Sequence, residues 1–317
     1  LEAIEQSHPQ LQGRVNLAEG DITKPDLGLT DASRIKREVR EIFHLAAVYD
    51  LRVPRDLGLR VNVDGTQNVI AFAEAAPKLS RLQYVSTCYV SGRHRGAFSE
   101  QDLDKGQSFN NFYEETKFLA EVEVRAGIEA GLPGTIYRPT IVVGDSRTGV
   151  VQKYDGPYYV IRWLLRQPML AVLPMVGDPS ATRVNLVPQN FVVDAIAYLS
   201  GLEQSVGKTY QLADPEPLTV NELVNVLARA TCRNVVRVPC PLRLAKFAID
   251  RIPGVYRLMQ IPSPAIDYFV HPTLYSCNST LADLGASGLG VPPFPTYVDR
   301  LVEYVRRHPE IGSHAMV

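Results

Sequence analysis

Apolar positions in the first half of the chain follow two alternating periods. Short β-rich runs lie at RVNLAEGDI (14–22), EIFHLAA (41–47), RLQYVST (81–87) and GTIYRPTIVV (134–143). Between them, VNVDGTQNVIAFAEAA (61–76) and FYEETKFLAEVEVRAGIEAG (112–131) carry apolar residues at helical spacing. Gly131 followed by Pro133 is a stop signal for the second helix. Strands alternating with helices predict an α/β domain, a doubly wound parallel sheet covered by helices on both faces. Beyond about residue 145 the alternation fades, and proline and aromatic residues become frequent among helices and short strands. Two later runs, RVNLVPQ (183–189) and GKTYQLAD (207–214), again read as sheet. The expected division is therefore a nucleotide-binding domain from 1–145 plus 183–214. A smaller, mostly helical substrate domain would take 146–182 plus 215–317.

Composition narrows the class without choosing a function. Of 317 residues, 45% are apolar and 21% charged, the profile of a soluble globular protein. A net charge of −1 gives no field to attract nucleic acid or an anionic membrane. The most apolar stretch, YYVIRWLLRQPMLAVLPMV, is interrupted by Arg162, Arg166, Pro168 and Pro174, so no membrane span is expected. Cys88, Cys232, Cys240 and Cys277 lie far apart without paired metal-ligand spacing. They read as reduced thiols of a cytoplasmic protein, with no metal site and no disulfide framework.

Candidate chemistry centres on Tyr113-Glu114-Glu115-Thr116-Lys117. Residues i and i+4 share a helix face, which brings the phenol and the ammonium side by side. A cation there would lower a phenol pKa from its ordinary value near ~10, making a proton donor and acceptor. A chance pairing on a surface helix is the bland alternative. The preceding strand ends in Ser86-Thr87, then Cys88-Tyr89. Ligands of open α/β sheets sit beyond the carboxyl ends of strands, so Thr87, with Ser86 as fallback, is placed to bind a substrate carbonyl oxygen. A turn or helix cap would use the same residues. His44-Leu45-Ala46-Ala47 ends another strand, its small residues allowing close backbone approach to a cofactor, while His44 reads as structural. Asn62 opens the next helix, where its amide can hold a water or neighbouring backbone. Asp21 in Gly20-Asp21-Ile22 can accept from an adenine amino group or simply cap a turn.

In order and spacing these pieces resemble the extended short-chain dehydrogenase/reductase family along most of the chain. The resemblance implies a Rossmann-type fold and carries catalytic roles onto Thr87, Tyr113, Lys117 and Asn62. It implies cofactor contacts at Asp21, Ile22, Leu45, Ala46, Ala47, Asn62, Tyr113, Lys117, Arg138, Pro139 and Thr140, the last three from the strand-end segment bordering the nicotinamide. GDITKPDLGL near the start, Gly144-Asp145-Ser146-Arg147-Thr148-Gly149 and Lys153-Tyr154-Asp155-Gly156-Pro157-Tyr158-Tyr159 look like the thioester-reductase and fatty-acyl-reductase branch. Substrate contacts are then expected from Thr87, Cys88, Tyr89, Lys153, Tyr158 and Tyr159. Trp163 and Leu164 extend an aromatic and apolar stripe that serves either a pocket or the core. The Asp145–Arg147 segment is equally readable as a turn held by an ion pair.

The departure from the family is the glycine-rich first turn, which should receive the pyrophosphate at a helix N-terminus. LEAIEQSHPQLQGR reads instead as a helix end leading into a third strand, so roughly 40 residues, one βαβ unit, are expected to be absent ahead of it. The resemblance implies NADP or NAD as cofactor, with NADP favoured. It implies a small-molecule substrate, an acyl-CoA or acyl-carrier-protein thioester or an aldehyde, with no nucleic-acid partner, and it allows a homodimer. Two other readings keep the fold: a sugar-nucleotide epimerase or dehydratase, and a hydroxysteroid-type dehydrogenase. Cys88-Tyr89 occupy the places where a dehydratase would carry its extra acids. A non-catalytic NAD(P) sensor is the reading from another class, and the intact Tyr/Lys pair argues against it.

Overall fold

The computed structural model describes residues 9–49, 53–252 and 254–312. Its centre is a four-stranded sheet of β1 (Glu41–His44), β2 (Arg81–Val85), β3 (Gly134–Pro139) and β4 (Thr209–Leu212), in that spatial order. All three pairings are parallel. Parallel strands need crossovers, and these supply the layers. Leu82 packs with Val69 and Ala73 of α1 (Gly65–Glu74). Tyr84 and Ile136 pack with Ala120 and Val124 of α2 (Phe112–Glu129). On the opposite face, Tyr137 and Tyr210 meet Phe191, Ala195 and Leu199 of α3 (Gln189–Ser200). Every residue of β3 is buried, as expected for a strand covered on both sides. The fold is thus Rossmann-like, with a smaller and mostly helical C-terminal region.

That smaller region has its own core. Tyr154, Tyr158, Ile161 and Leu164 pack against Leu223 and Leu227 of α4 (Val220–Thr231) and Leu301 of the Val298–Arg307 helix. A second cluster holds Ile249, Ile261, Ala265 and Ile266, and so fixes the Ser263–Val270 segment. Among the described residues, no helix is long and apolar enough to cross a membrane.

Several sequence expectations fail on local grounds. The run 14–22 is not a strand: no described strand pairs with it, and β-rich composition makes a ladder only with a partner. Its end is a turn closed by Asp21 N–H to Leu27 O at 2.7 Å. Ile22 packs on α1, where a Cβ on Gly65 would come within 2.9 Å of its Cδ1. The strand expected over 41–47 stops at His44, after which the chain leaves the ladder. The run 183–189 does not enter the central sheet. Arg183–Val184 pairs antiparallel with Leu218–Thr219, and Leu186–Pro188 pairs parallel with Ile141–Val143. The helix end expected at the start lies partly in residues 1–8, outside the described residues, and a single 3-10 turn at Pro9–Leu11 follows.

Candidate active site

Beyond the carboxyl ends of β1, β2 and β3 lies a cleft of ≈ 500 Å³. The strand ends supply Leu45, Thr87, Pro139 and Thr140, and α2 supplies Tyr113 and Lys117. The opposite wall comes from Tyr159 and from the C-terminal residues Ala265, Tyr268 and Phe269.

Thr87 is extended and caps the Cys88–Ser91 turn by accepting from Tyr89 N–H at 3.3 Å. Its hydroxyl also donates to Pro139 O at 3.4 Å, and it lies beside the Tyr113 phenol in the cleft lining. The Ser86 hydroxyl donates to Glu121 at 2.6 Å inside the core. Both residues border the cleft, but the Ser86 hydroxyl is committed to Glu121 while Thr87 lies beside the phenol. Lys117 donates to Val85 O at 2.8 Å and to the Tyr84 hydroxyl at 2.9 Å. An ammonium has three donors, so one remains for a group in the cleft that Lys117 lines.

The pKa expectation needs correction. Burial pushes the Tyr113 phenol well above its ordinary range, nearby Tyr49 adds to this, and the Thr87 hydroxyl opposes it. Burial also brings Lys117 down to about 7, against the pull of Glu121. The Lys117 nitrogen is engaged at the end of β2, by Val85 O and the Tyr84 hydroxyl. A phenol held protonated suits proton donation to a developing oxyanion better than proton removal.

Asn62 is buried within a π-helical turn, Leu59–Asp64. Such turns often mark functional positions because they re-aim a side chain. Asn62 accepts from Val48 N–H at 2.8 Å, donates to Val48 O at 3.1 Å, and donates to Thr116 on α2 at 3.0 Å. It ties the loop after β1 to the helix carrying Tyr113. His44 bonds Thr66 at 2.9 Å, and burial lowers it to about 3, so it stays neutral.

Other candidates are divided by the fold. Leu45, Ala47, Pro139, Thr140, Tyr89, Lys153 and Tyr159 line the cleft. Ala46 is exposed beside it. Arg138 is fully buried, with a two-pronged ion pair to Glu121 whose shortest contact is 2.6 Å. It is not among the cleft-lining residues. The Cys88 thiol is buried against Arg138 O, and burial pushes its pKa up, so it offers neither substrate contact nor nucleophile. Tyr158 turns into the core, accepting from Gly144 N–H at 2.8 Å, and Leu164 is buried there too. Trp163 donates to Val172 O at 2.9 Å outside the cleft. Asp21 accepts from Thr23 N–H and Oγ1 at 3.0 and 2.7 Å, a turn aspartate, and neither it nor Ile22 reaches the cleft. Asp145 caps its own turn through Arg147 N–H and Thr148 N–H, while the Arg147 side chain pairs with Asp194.

Sequence reasoning missed Tyr49, Asp155, Tyr268 and Phe269, all of which line the cleft. Lys153 lies 3.5 Å from Asp155 and 4.1 Å from the Tyr49 ring centroid. Gly156 beside them has φ +53°, and a Cβ there would lie 2.9 Å from Ile141. The residues present fit the nicotinamide–ribose half of a dinucleotide: a lysine with a donor to spare, a phenol, and small-residue backbone at the strand ends. Among the described residues there is no glycine-rich strand-to-helix turn to receive a pyrophosphate.

The fold is that of the NAD(P)-binding oxidoreductases. A family model described as Male sterility protein, an NAD-binding family, matches residues 2–196. The chain belongs to that family, within the extended short-chain dehydrogenase/reductase superfamily and on its thioester- and aldehyde-reductase branch. It is 30% identical to the 2-alkyl-3-oxoalkanoate reductase of Stenotrophomonas maltophilia over 240 residues, 72% of this chain and 67% of that protein. It is 29% identical to a linear gramicidin synthase of Brevibacillus parabrevis over 213 residues, 65% of this chain but 4% of that protein. The terminal R domain of the myxalamid PKS-NRPS pathway superposes with a TM-score of 0.80 at 25% identity, covering 98% of this chain and 79% of that one. The chain spans between 4% and 20% of the length of the first curated relatives it matches.

Proposed function

We propose that the chain carries an NAD(P)H-dependent reductase that converts an acyl thioester to an aldehyde, with an aldehyde as a further substrate. The meeting of Thr87, Tyr113 and Lys117 in one largely apolar cleft beyond the strand ends carries this reading. Bound NAD(P)H supplies the hydride. Lys117 offers its remaining donor to a ribose hydroxyl, and Asn62 keeps the loop after β1 in register with α2. Thr87 orients the substrate carbonyl oxygen, and Tyr113 gives that oxygen its proton as the carbonyl carbon is reduced. The resulting hemithioacetal loses its thiol: the C–S bond breaks, the hydroxyl proton returns to Tyr113, and the thiolate takes a proton from water. No acyl-enzyme is required. Tyr89 and Lys153 line the same cleft and are assigned to the substrate, with the thioester presented by CoA or a carrier protein.

Support comes from relatives that are themselves reductases or reductase domains by name. The 2-alkyl-3-oxoalkanoate reductase favours a second reading, a ketone rather than a thioester as the acceptor. The four free cysteines accord with a cytoplasmic enzyme, and a homodimer is the proposed assembly. Absorbance of NADPH, then NADH, followed with a medium-chain acyl-CoA, the matching aldehyde and a 3-oxo acid separates these readings. Oxidation with the thioester is expected. Oxidation with the 3-oxo acid alone selects the ketone reading, and silence with all three sinks both.

A further inference from the structure

Glu114 follows Tyr113 in sequence yet turns away from the cleft and is fully buried. Its carboxyl accepts from Asn110 N–H at 2.8 Å and from the Asn110 amide at 3.1 Å, and it lies beside the Tyr268 phenol. The Tyr268 oxygen in turn accepts from the Asn111 amide at 3.3 Å, while the Asn111 Oδ1 caps α2 by accepting Glu114 N–H at 3.0 Å. The start of α2 therefore holds one hydroxyl of the Ser263–Val270 segment through Asn111, with the Glu114 carboxyl beside it. The ring of Tyr268 forms part of the cleft wall and stands edge-on to Tyr89, 4.6 Å between centroids. Tyr89 is the residue whose N–H fixes Thr87. One phenol thus touches the helix carrying Tyr113, the turn carrying Thr87, and the wall facing both.

A helix cap alone would need only Asn111. Burying a carboxyl without a basic partner is costly, and Lys246 pairs with Asp267 at 2.8 Å rather than with Glu114. Burial raises Glu114 to about 7, Asp267 adds to the rise, and Asn110 and the Tyr268 phenol oppose it. A fold that keeps such a group uses it to join two parts that would otherwise touch only through hydrocarbon.

We propose that Asn111 and Tyr268, with Glu114 beside them, form a clasp that holds the Ser263–Val270 wall against Thr87 and Tyr113, making Tyr268 a positioning residue for the acyl group. The proposal rests on the reductase reading above for its substrate, but not for its geometry. Tyr268→Phe removes the hydroxyl and keeps the ring on Tyr89, so it is the decisive variant. Hydrogen–deuterium exchange on the whole protein is expected to speed up about tenfold over residues 263–271 while the core of α2 stays protected. With a medium-chain acyl-CoA, KM is expected to rise about tenfold with kcat within about threefold, and NADPH affinity is unchanged. Asn111→Ser keeps a cap for α2 but removes the amide that holds Tyr268, and should shift both readouts the same way. Unchanged exchange over 263–271 in Tyr268→Phe overturns the clasp. So does a fall in kcat at constant KM, which would place the phenol in the chemistry. If the wild-type protein reduces no thioester or aldehyde, the reductase reading fails, and the exchange comparison still decides the clasp.

Discussion

The wall of the cleft built from β2, β3 and α2 holds its polar groups in a closed set of hydrogen bonds. The facing wall presents mostly hydrocarbon. On the first side Lys117, Glu121, Arg138, Ser86 and Asn62 are all buried, and each has a partner within 3.1 Å. On the second, Pro262, Ala265 and Phe269 offer little besides area, and the Tyr268 hydroxyl is turned away to α2. Paired buried groups fail abruptly, because removing one strands another. Apolar area fails gradually, in proportion to what is removed. The polar wall therefore suits an invariant proton transfer, and the apolar wall suits discrimination among chains.

The contrast is tested hardest at Tyr113. Tyr113→Phe deletes the phenol proposed to give the carbonyl oxygen its proton and leaves the Lys117 bonds to β2 intact. A fall in kcat of about 10²–10⁴ is expected, the usual worth of a positioned general acid. Fluorescence titration should find NADPH affinity unchanged. Turnover near the wild-type level would remove Tyr113 from the reaction and erase the distinction between the walls.

Next in size is a change in stability rather than rate. Arg138→Met leaves the fully buried Glu121 with Arg125 at 3.2 Å as its remaining cation. Breaking a buried pair costs about 3–5 kcal/mol, and the Arg125 contact brings the expectation to the lower end. Adding Glu121→Leu should recover part of the loss, since no carboxylate stripped of its guanidinium is then left in the core. Urea denaturation of both variants measures it. A single variant as stable as wild type would show that this network is not what stiffens the polar wall.

The polar wall is legible in the sequence and the apolar wall is not, for geometric reasons. Tyr113 and Lys117 share a helix face at a spacing that any helix enforces, and Thr87 follows from its place at a strand end. Arg138 is misread because sequence does not say to which side of β3 a side chain passes. Tyr158 and Tyr159 show the same limit on a helix, where adjacent residues diverge by about 100°. One enters the core and the other the cleft. Tyr268 and Phe269 reach the site across more than a hundred residues and carry no period that links them to it. One signal is available: the buried stripe of α2, Val124 and Ala120, runs on through Glu121 and Lys117 to Glu114. Charged residues on a core-facing stripe are rarely buried without a use. The expected strand at 14–22 fails because composition does not reveal whether a partner strand lies alongside.

The smallest expected effect probes the apolar wall directly. Phe269 lines the cleft and packs against both apolar clusters of the C-terminal region. Being only partly buried, it should lose less on truncation than the about 3–5 kcal/mol of a fully buried phenylalanine. Phe269→Ala is expected to lower kcat/KM about tenfold for a medium-chain acyl-CoA, the scale on which a hydrophobic pocket discriminates. Acetyl-CoA, too short to use this area, should lose little, and kcat for either should hold because the proton donor is untouched. The ratio of the two losses carries the information. Equal losses would mean that Phe269 supports the fold of the wall without reading the chain, and discrimination would then have to come from the polar side.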